Sequence, residues 1–330
     1  MLPSESKIVV IGGGTGNHTT LTGLKKRNCQ LTAIVSMSDD GGSSGRLRDE
    51  LGQLPPGDIR QCLVALAADD YISAQLRKLF NYRFTSGQGL NGHSFGNLFI
   101  SALTDITGNS ATAISEASRM LHIKGSVFPV TLTPTILKAK LVDGTVIDGE
   151  SQIGLRTTMH DSKIDYVYLE PAAYPYPPVI DALEEADAIV IGPGDIYTSI
   201  LPNLLVKEVA NAINRSPAIK IYVCNLMTKP GESDGFAASD FLTLVQSYLH
   251  TDDPIDCLLM NNVRLPQPIK DRYLRVGQKP VELDINKCNK LAKHIKQAPL
   301  LKAEVYLRHN QDALADAIIE LIDDHKSSVS

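Results

Sequence analysis

The stretch KIVVIGGGTG, from Lys7 to Gly16, decides the fold. Its first five residues fit a buried strand, and its glycines fit a tight turn into a helix over 15–27. A phosphate can bind at the N-terminus of such a helix. The residues expected to contact it are Gly13, Gly14, Thr15, Gly16 and Asn17. The pattern G-x-G-x-x-G is incomplete, because Asn17 stands at its third glycine, and a turn that needs glycine only for steric reasons fits equally well.

The next polar stretch, Ser36–Cys62 (SMSDDGGSSGRLRDELGQLPPGDIRQC), follows a predicted strand at 31–36 and leads into a predicted helix at 58–68. It is predicted to be a long loop, placed where open α/β sheets bind ligands. Glycine amides and arginines can bind phosphate, and paired carboxylates can hold Mg²⁺. The expected ligand contacts are Gly41, Gly42, Ser43, Ser44, Arg46 and Arg60; the expected catalytic residues are Asp39, Asp40 and Asp58, of which Asp39 and Asp40 are the metal ligands. The alternative is a solvated loop whose charges pair with one another.

Three more polar segments border apolar elements. The loop 85–96 (TSGQGLNGHSFG) opens an apolar helix at 97–106, and the other two segments follow predicted strands at 188–191 and 219–224. Such positions leave backbone amides free to meet an anion. The expected ligand contacts are His93, Ser94, Asn97, Gly192, Pro193, Gly194, Asp195, Thr198, Ser199, Asn225, Thr228 and Glu232.

Strands alternate with helices over most of the chain, which predicts an α/β fold with a Rossmann-like, doubly wound, mostly parallel sheet. A β-rich insertion is expected at about 127–170, where the Asp143-Gly144 step marks a hairpin. One helix is expected at 204–213, and weaker edge strands at 281–283 and 303–306. We expect residues 1–330 to form a single domain. Because the carboxyl ends of parallel strands lie on one edge, the polar loops should converge on one crevice.

Composition limits the classes of function. Of the 330 residues 43% are hydrophobic, enough for a sizeable core, and the net charge is −5. An acidic chain is a poor partner for nucleic acid or for an anionic membrane surface, so any phosphate ligand needs a local positive pocket. No C-x-x-C pair occurs among the five cysteines, and no apolar run approaches membrane-spanning length. We therefore expect a cytoplasmic protein without membrane insertion.

Five stretches resemble the gluconeogenesis-factor (YvcK-like) family, which is related to the 2-phospho-L-lactate transferase CofD. They are GGGTG at 12–16, AIVSMSDDGGSSGRLRDELGQLPPGDIRQCLVAL at 33–66, YRFTSGQGLNGHSFGNL at 82–98, GPGDIYTSILPNLL at 192–205 and YVCNLMTKPGESDG at 222–235. The resemblance spans nearly the whole chain, and motifs of this length are highly specific.

This resemblance implies a Rossmann-like core, a cytoplasmic location and a nucleotide ligand. A UDP-sugar of the UDP-N-acetylglucosamine type is favoured over GDP or NAD(P). YvcK-like members support cell shape and cell-wall synthesis during growth on gluconeogenic carbon sources, so the implied partners are cell-wall synthesis proteins. Association into a homo-oligomer is left open. CofD-like members transfer a phospholactyl or enolpyruvyl-phosphate group from a guanosine diphosphate conjugate to a deazaflavin precursor, with Mg²⁺.

Two departures favour the YvcK-like branch. Transferases carry Asn-Thr-Gly before the aspartate pair, where this chain has Ser36-Met37-Ser38, and they lack the stretch Gly41–Arg48. A third departure lies at the first glycine turn, where Asn17-His18 stands in place of the more usual Leu-Ser and affects the expected ligand contact of Asn17. Two hypotheses remain open: a UDP-sugar receptor that regulates other proteins, and an enzyme of the transferase type. An NAD(P)-dependent enzyme is disfavoured because its fingerprint fails at Asn17.

Overall fold

The computed structural model describes residues 5–156, 162–303 and 307–329. Its strands lie along most of this length and alternate with helices. In chain order they are β1 (Ser6–Gly12), β2 (Cys29–Val35), β3 (Ser126–Pro129), β4 (Ile136–Leu141), β5 (Val146–Asp148), β6 (Ile164–Glu170), β7 (Ala188–Ile191), β8 (Ile219–Val223), β9 (Ile255–Asn261), β10 (Ala292–Ala298), β11 (Leu301–Ala303) and β12 (Leu307–His309).

The helices range from one turn to five turns. They are α1 (Gly14–Leu24), α2 (Gly42–Leu51), α3 (Gly57–Leu66), α4 (Tyr71–Asn81), α5 (Phe95–Thr107), α6 (Ser110–Met120), α7 (Glu150–Gly154), α8 (Pro177–Glu184), α9 (Leu201–Leu204), α10 (Val209–Arg215), α11 (Ala238–Leu249), α12 (Gln267–Leu274), α13 (Ile285–Cys288) and α14 (Gln311–Val329), with a π-helical turn at Ile196–Ile200 before α9. In this part of the chain, no helix is long and apolar enough to cross a membrane.

Seven strands form the main sheet, in the order β10-β9-β8-β7-β1-β2-β3, and every neighbouring pair is parallel. The order reverses between β1 and β7, where Ile11 pairs with Ile34 on one side and with Ile191 on the other. This is the topological switch point at which open α/β sheets bind ligands. The predicted α/β, doubly wound class is confirmed.

Burial explains why the central strands form where they do. Residues 8–11, 188–191 and 221–223 are fully buried, as expected for parallel strands that are covered on both faces. α1 packs with α3 and α14, whereas α8, α10 and α11 pack with one another. Right-handed crossovers place these two groups of helices on opposite faces of the sheet.

The predicted insertion forms a separate three-stranded antiparallel sheet in the order β5-β4-β6. Its hairpin turns at Asp143-Gly144, where Gly144 has a φ of +90° and the Asp143 carboxylate accepts a 2.9 Å hydrogen bond from the Thr145 amide. The strand Ser126–Pro129, which overlaps the start of the expected insertion, instead pairs with β2 at the edge of the main sheet.

Two segments expected to be simple are more complicated. The stretch predicted as one long loop contains α2, whose Ser43, Ser44 and Leu47 are buried, so tertiary packing overrides the weak helix propensity of its glycines. The single helix expected at 204–213 is wrong, because α9 ends at Leu204 and α10 begins only at Val209. Glu208, with a φ of +65°, lies between them.

The C-terminal third differs most from the expectation. The segment 281–283 is not a strand and forms isolated bridges, Met227 with Pro280 and Ala237 with Glu282. Of the strand expected at 303–306, residues 304–306 lie outside the described residues. β10 and α12 were not expected, because the sequence AKHIKQA of β10 lacks the apolar run of a central strand.

Candidate functional site

A crevice of about 1050 Å³ opens at the switch point, at the carboxyl ends of β1, β7 and β8. This volume is at the upper end of the range for small-molecule sites. Polar groups of the turns after these strands line one side, and α12 and β12 line the other. The predicted convergence of strand-end loops is thus partly borne out by the geometry, and the opposite wall comes from the C-terminal third.

The floor of the crevice is the N-terminus of α1. Gly16 lies so close to the Pro193 carbonyl that a Cβ there would collide with it, and a Cβ on Gly14 would collide with Asp58 and Gln61. The Gly14 amide donates a hydrogen bond to the Asp58 carboxyl group. A carboxylate therefore already occupies part of the helix terminus where the sequence pattern predicted phosphate.

Acidic side chains surround this carboxyl group. Burial, together with the charge of Asp39, raises the pKa of Asp58 to about 7, although the Gly14 amide and Arg60 oppose the change. Glu150, which the insertion contributes from α7, also lines the crevice. Burial raises its pKa to about 8, with Asp39 and Asp58 as the next largest causes. The crevice therefore holds a cluster of carboxyl groups that do not all ionise at neutral pH.

A lysine stands beside this acidic cluster. Lys229 forms ion pairs with Asp195 (2.6 Å) and with the fully buried Glu232 (2.5 Å). Burial opposes the charge of Lys229, but Glu232 and Asp195 outweigh it and raise its pKa. Burial raises the pKa of Glu232 to about 7, and the charge of Lys229 limits that rise. The ammonium group reaches the crevice from a fixed position, because both partners are held by neighbouring turns.

The opposite wall carries two arginines and an aromatic ring. Arg272 lies over the ring of Tyr273, 5.4 Å from its centroid, and the Tyr273 hydroxyl accepts a 2.7 Å hydrogen bond from the Leu307 amide. Arg308 lies close enough to His18 on α1 to help lower the pKa of that histidine, which burial brings to about 4. Beside it, His309 is kept neutral by burial, with a pKa of about 4. This wall offers positive charge and apolar surface together.

Eleven of the residues predicted from the sequence line the crevice, and a twelfth, Gly13, abuts Ser199 and Asp58 at its floor. The eleven are Gly14, Thr15, Gly16, Asp39, Asp58, Pro193, Gly194, Asp195, Ser199, Asn225 and Thr228.

A second group of predicted residues lies outside the crevice, in a polar network that joins α2, α3 and α5. Ser43 Oγ lies 3.0 Å from His93 Nδ1, and Asn97 Nδ2 donates to Ser43 Oγ at 3.1 Å. Arg60 donates to Asn97 Oδ1 at 2.9 Å, and Ser94 caps α5. Hydrogen bonds between these side chains join the three helices. The predicted contacts that belong to this group are Ser43, Ser44, Arg60, His93, Ser94 and Asn97.

The other predicted residues outside the crevice contact the protein itself. Asp40 accepts a 2.7 Å hydrogen bond from the Ser151 amide and so fastens the insertion. Arg46 donates to the Asn91 carbonyl oxygen, and Asn17 is buried and donates to that of Ile34. Thr198 and Glu232 lie buried below the Lys229 side chain. The remaining ones, Gly41, Gly42 and Gly192, do not line the cavity.

Sequence reasoning did not single out several residues that line the crevice. Gln61 follows the predicted Asp58 by three positions and accepts a 3.1 Å hydrogen bond from Thr15. Helical spacing from Asp58 was a signal that could have found it. Leu226, Met227 and Lys229 lie within the polar segment 225–232, which was expected to line the crevice, although none of the three was an expected ligand contact. No local pattern marks the others, which are Thr19, Glu150, Arg272, Tyr273, Val276, Gln278, Leu307, Arg308 and His309.

The carboxylates of the crevice decide whether the Mg²⁺ expected from the sequence could bind there. No group of three or more His, Cys, Asp or Glu side chains that could hold a metal occurs in residues 5–156, 162–303 and 307–329. Mg²⁺ in nucleotide sites commonly takes one or two protein carboxylates, and phosphate and water complete the shell. Asp39 and Asp58 both line the crevice and repel each other, so they fit that role. Asp40 is engaged by Ser151 and does not face the cavity.

Comparisons with known proteins agree over nearly the whole chain. The family model for the 2-phospho-L-lactate transferase CofD matches residues 8–301. A putative gluconeogenesis factor from Thermoanaerobacterium thermosulfurigenes is 44% identical over 319 residues, covering 96% of this chain and 97% of the relative. The gluconeogenesis factor of Bacillus subtilis is 40% identical over 321 residues, covering 96% and 98%. The crystal structure of a UPF0052 family member from Bacillus halodurans is similar at a TM-score of 0.90 and 41% identity, covering 96% of this chain and 99% of that one.

Proposed function

Because the chain belongs to the CofD family and resembles gluconeogenesis factors over most of its length, we propose that it binds a nucleotide sugar and regulates other proteins in response. The proposed ligand is a UDP-sugar of the UDP-N-acetylglucosamine type. The proposed setting is the cytoplasm, and the proposed partners are proteins of cell-wall synthesis that maintain cell shape during gluconeogenic growth.

The single observation that carries this proposal is the division of the crevice into two chemically different walls. Arg308 and Arg272 offer the positive charge that a diphosphate needs in a chain of net charge −5. Tyr273 and Val276 offer apolar surface on which a base can pack. Carboxyl groups and amides on the other side, those of Asp39 and Asn225 among them, suit the hydroxyls of a sugar.

The proposed metal role belongs to Asp39 and Asp58. Bound Mg²⁺ would supply charge neutralisation between their carboxylates and the diphosphate. In the protein alone, Asp58 orients toward the α1 terminus through its hydrogen bond with the Gly14 amide. The ion pairs of Lys229 with Asp195 and Glu232 offset the charge of its ammonium group, so the two arginines supply the charge for the diphosphate.

Regulation is favoured over catalysis through a protein nucleophile, because no thiol or free imidazole is among the described residues that line the crevice. None of the cysteines lines it, and His309, the one histidine among its lining residues, is tied to the Cys224 carbonyl oxygen at 3.3 Å. The Ser36-Met37-Ser38 lead-in and the Gly41–Arg48 stretch point to the same branch of the family.

A second candidate is transfer of a phospholactyl or enolpyruvyl-phosphate group from a nucleotide diphosphate conjugate, with Mg²⁺. One observation favours it: the pKa of about 7 for Asp58 and about 8 for Glu150 suit general acid–base roles at neutral pH. Positioning and metal charge can drive such a transfer with few protein groups.

Thermal shift with Mg²⁺ present tests the proposal, using UDP-N-acetylglucosamine, UDP, GDP and NAD at equal concentrations. A ligand that binds only the native state raises the melting temperature by mass action. We expect the largest rise with UDP-N-acetylglucosamine and no turnover of it in a parallel incubation. A rise with GDP alone, together with transfer to a deazaflavin acceptor, would replace the regulatory function by the enzymatic one.

A further inference from the structure

A second cavity of about 590 Å³ lies beside the crevice, at the carboxyl ends of β8, β9 and β10. The pairing of Ala298 with Asn261 and of Val223 with Leu259 brings these three strand ends side by side. In open parallel sheets this is the edge at which ligands bind. The volume is within the range for a small metabolite and too small for a macromolecule to enter.

Two cations line this cavity, Arg264 after β9 and Lys270 in the first half of α12. Neither forms an ion pair with any residue in the described part of the chain. No aspartate or glutamate is among the described residues that line the cavity. In an acidic protein, two unpaired cations in a cavity without a carboxylate form a local positive site.

Carboxamides provide the remaining polar groups of the lining. The side-chain amide of Asn261 donates a hydrogen bond to the Val263 carbonyl oxygen, and its side-chain oxygen accepts one from the Val263 amide. These two bonds fix the turn that carries Arg264. Asn262 and Gln297, in contrast, make no side-chain hydrogen bond to any residue that the structure describes. Amides can donate to and accept from hydroxyl groups. A further carboxamide, that of Gln267, donates a 2.7 Å hydrogen bond to Asp271. The rest of the described lining is mainly apolar and includes Leu265, Val281 and Leu283.

A single wall separates this cavity from the crevice. It consists of two paired segments, 225–228 and 278–283, joined by hydrogen bonds from the Thr228 amide to the Lys279 carbonyl (2.7 Å) and from the Val281 amide to the Leu226 carbonyl (3.2 Å). Asn225 and Leu226 line both cavities. These two residues are therefore surface common to both cavities.

We propose that the second cavity binds a small phosphorylated sugar, with its phosphate on Arg264 and Lys270 and its hydroxyls on Asn262 and Gln297, and that this binding is coupled to the crevice through the shared wall. The phosphate-sugar site stands on its own lining residues. Only the coupling rests on the proposed nucleotide site.

Calorimetric titration of the full chain with glucose 6-phosphate tests the site, with glucose and inorganic phosphate as separate probes. We expect glucose 6-phosphate to bind at least about tenfold more tightly than either probe, because it uses both the cations and the amides. Equal affinity for inorganic phosphate would reduce the cavity to a nonspecific anion site and overturn the proposal. Absence of glucose 6-phosphate binding would also overturn it.

Matched variants locate the binding. The double variant R264Q/K270Q should bind glucose 6-phosphate at least about tenfold more weakly and keep its melting temperature. The control K124Q/K290Q removes the same charge from two exposed lysines outside both cavities and should bind as the wild type does. Equal weakening in both double variants would show a general charge effect and refute the site.

Coupling is measured by repeating the titration with UDP-N-acetylglucosamine present. We expect the affinity for glucose 6-phosphate to change by about fivefold or more, and the reciprocal titration to change by the same factor. Independent affinities would refute the coupling, and direct competition would show that the two cavities are one site. Binding of glucose 6-phosphate without any binding of UDP-N-acetylglucosamine would leave the second cavity intact and remove the proposed function.

Discussion

Replacing Asp58 by asparagine should stabilise the ligand-free protein at neutral and alkaline pH and weaken Mg²⁺-dependent ligand binding. The charged form of Asp58 is disfavoured because it is desolvated at the floor of the crevice and faces Asp39. Asparagine retains an acceptor for the Gly14 amide and removes the charge. The same substitution removes one cause of the raised pKa of Glu150.

The size of the effect follows from the pKa. A change in the pKa of Asp58 from the ordinary value of 3.8 to about 7 corresponds to about 4 kcal/mol of folding free energy before any screening by solvent. Water and salt in the open crevice screen the charge, so we expect about 2 kcal/mol. Because the folded pKa is raised, the native state binds more protons than the unfolded state. The stability from Asp58 is therefore complete below about pH 4, is lost as pH rises, and is gone above about pH 7.

Urea unfolding of the wild type and of Asp58→Asn at about pH 5 and about pH 8 measures this effect. The variant should be more stable than the wild type by about 2 kcal/mol at the higher pH and by less than about 1 kcal/mol at the lower one. Asp252→Asn is the control, because Asp252 is exposed and forms no hydrogen bond or ion pair with the described residues. Equal, pH-independent changes in the two variants would refute the electrostatic account of the crevice.

Three other substitutions separate structural from ligand-binding roles. Lys229→Met should lower the free energy of unfolding in urea by about 3 kcal/mol, because it leaves Glu232 buried and unpaired. Adding Glu232→Gln should restore most of this stability, and a loss that is not restored would contradict the ion-pair argument. Arg308→Gln should weaken UDP-N-acetylglucosamine binding at least about tenfold in calorimetry with an unchanged melting temperature, and unchanged affinity would exclude it from the site. Asn97→Ala should lower the free energy of unfolding by about 1–3 kcal/mol, because it removes the hydrogen bond to Ser43, and should leave the ligand affinity unchanged. A loss of ligand affinity without a loss of stability would place Asn97 at the ligand.

The sequence predicted the sheet well because its central strands are apolar runs buried on both faces. KIVVI, AIVI and the run at 219–223 can form little else, and parallel pairing follows from the helices between them. The edge strand β10 and helix α12 were not predicted, because their sequences AKHIKQA and QPIKDRYL have no clear periodicity of apolar residues. The position of the crevice followed from topology alone, since polar turns after parallel strands meet at one edge.

The sequence could not distinguish polar residues that face a ligand from those that face each other. Ser43, His93 and Asn97 have the chemistry of a phosphate site, and in the structure their side chains hydrogen-bond to one another outside the crevice. The opposite wall was also hidden, because Arg272 and Arg308 reach the crevice only through the long-range packing of α12 and β12. Contacts between residues so far apart in the sequence cannot be recognised from a local sequence pattern.

A crystal structure of the protein with UDP-N-acetylglucosamine and Mg²⁺ tests the central claim most directly. The account predicts a diphosphate within hydrogen-bonding distance of Arg308 or Arg272, with the base near Tyr273 and the sugar toward Asp39. A ligand bound at the Ser43–His93 network, with the crevice between Gly14 and Arg308 left to solvent, would contradict it.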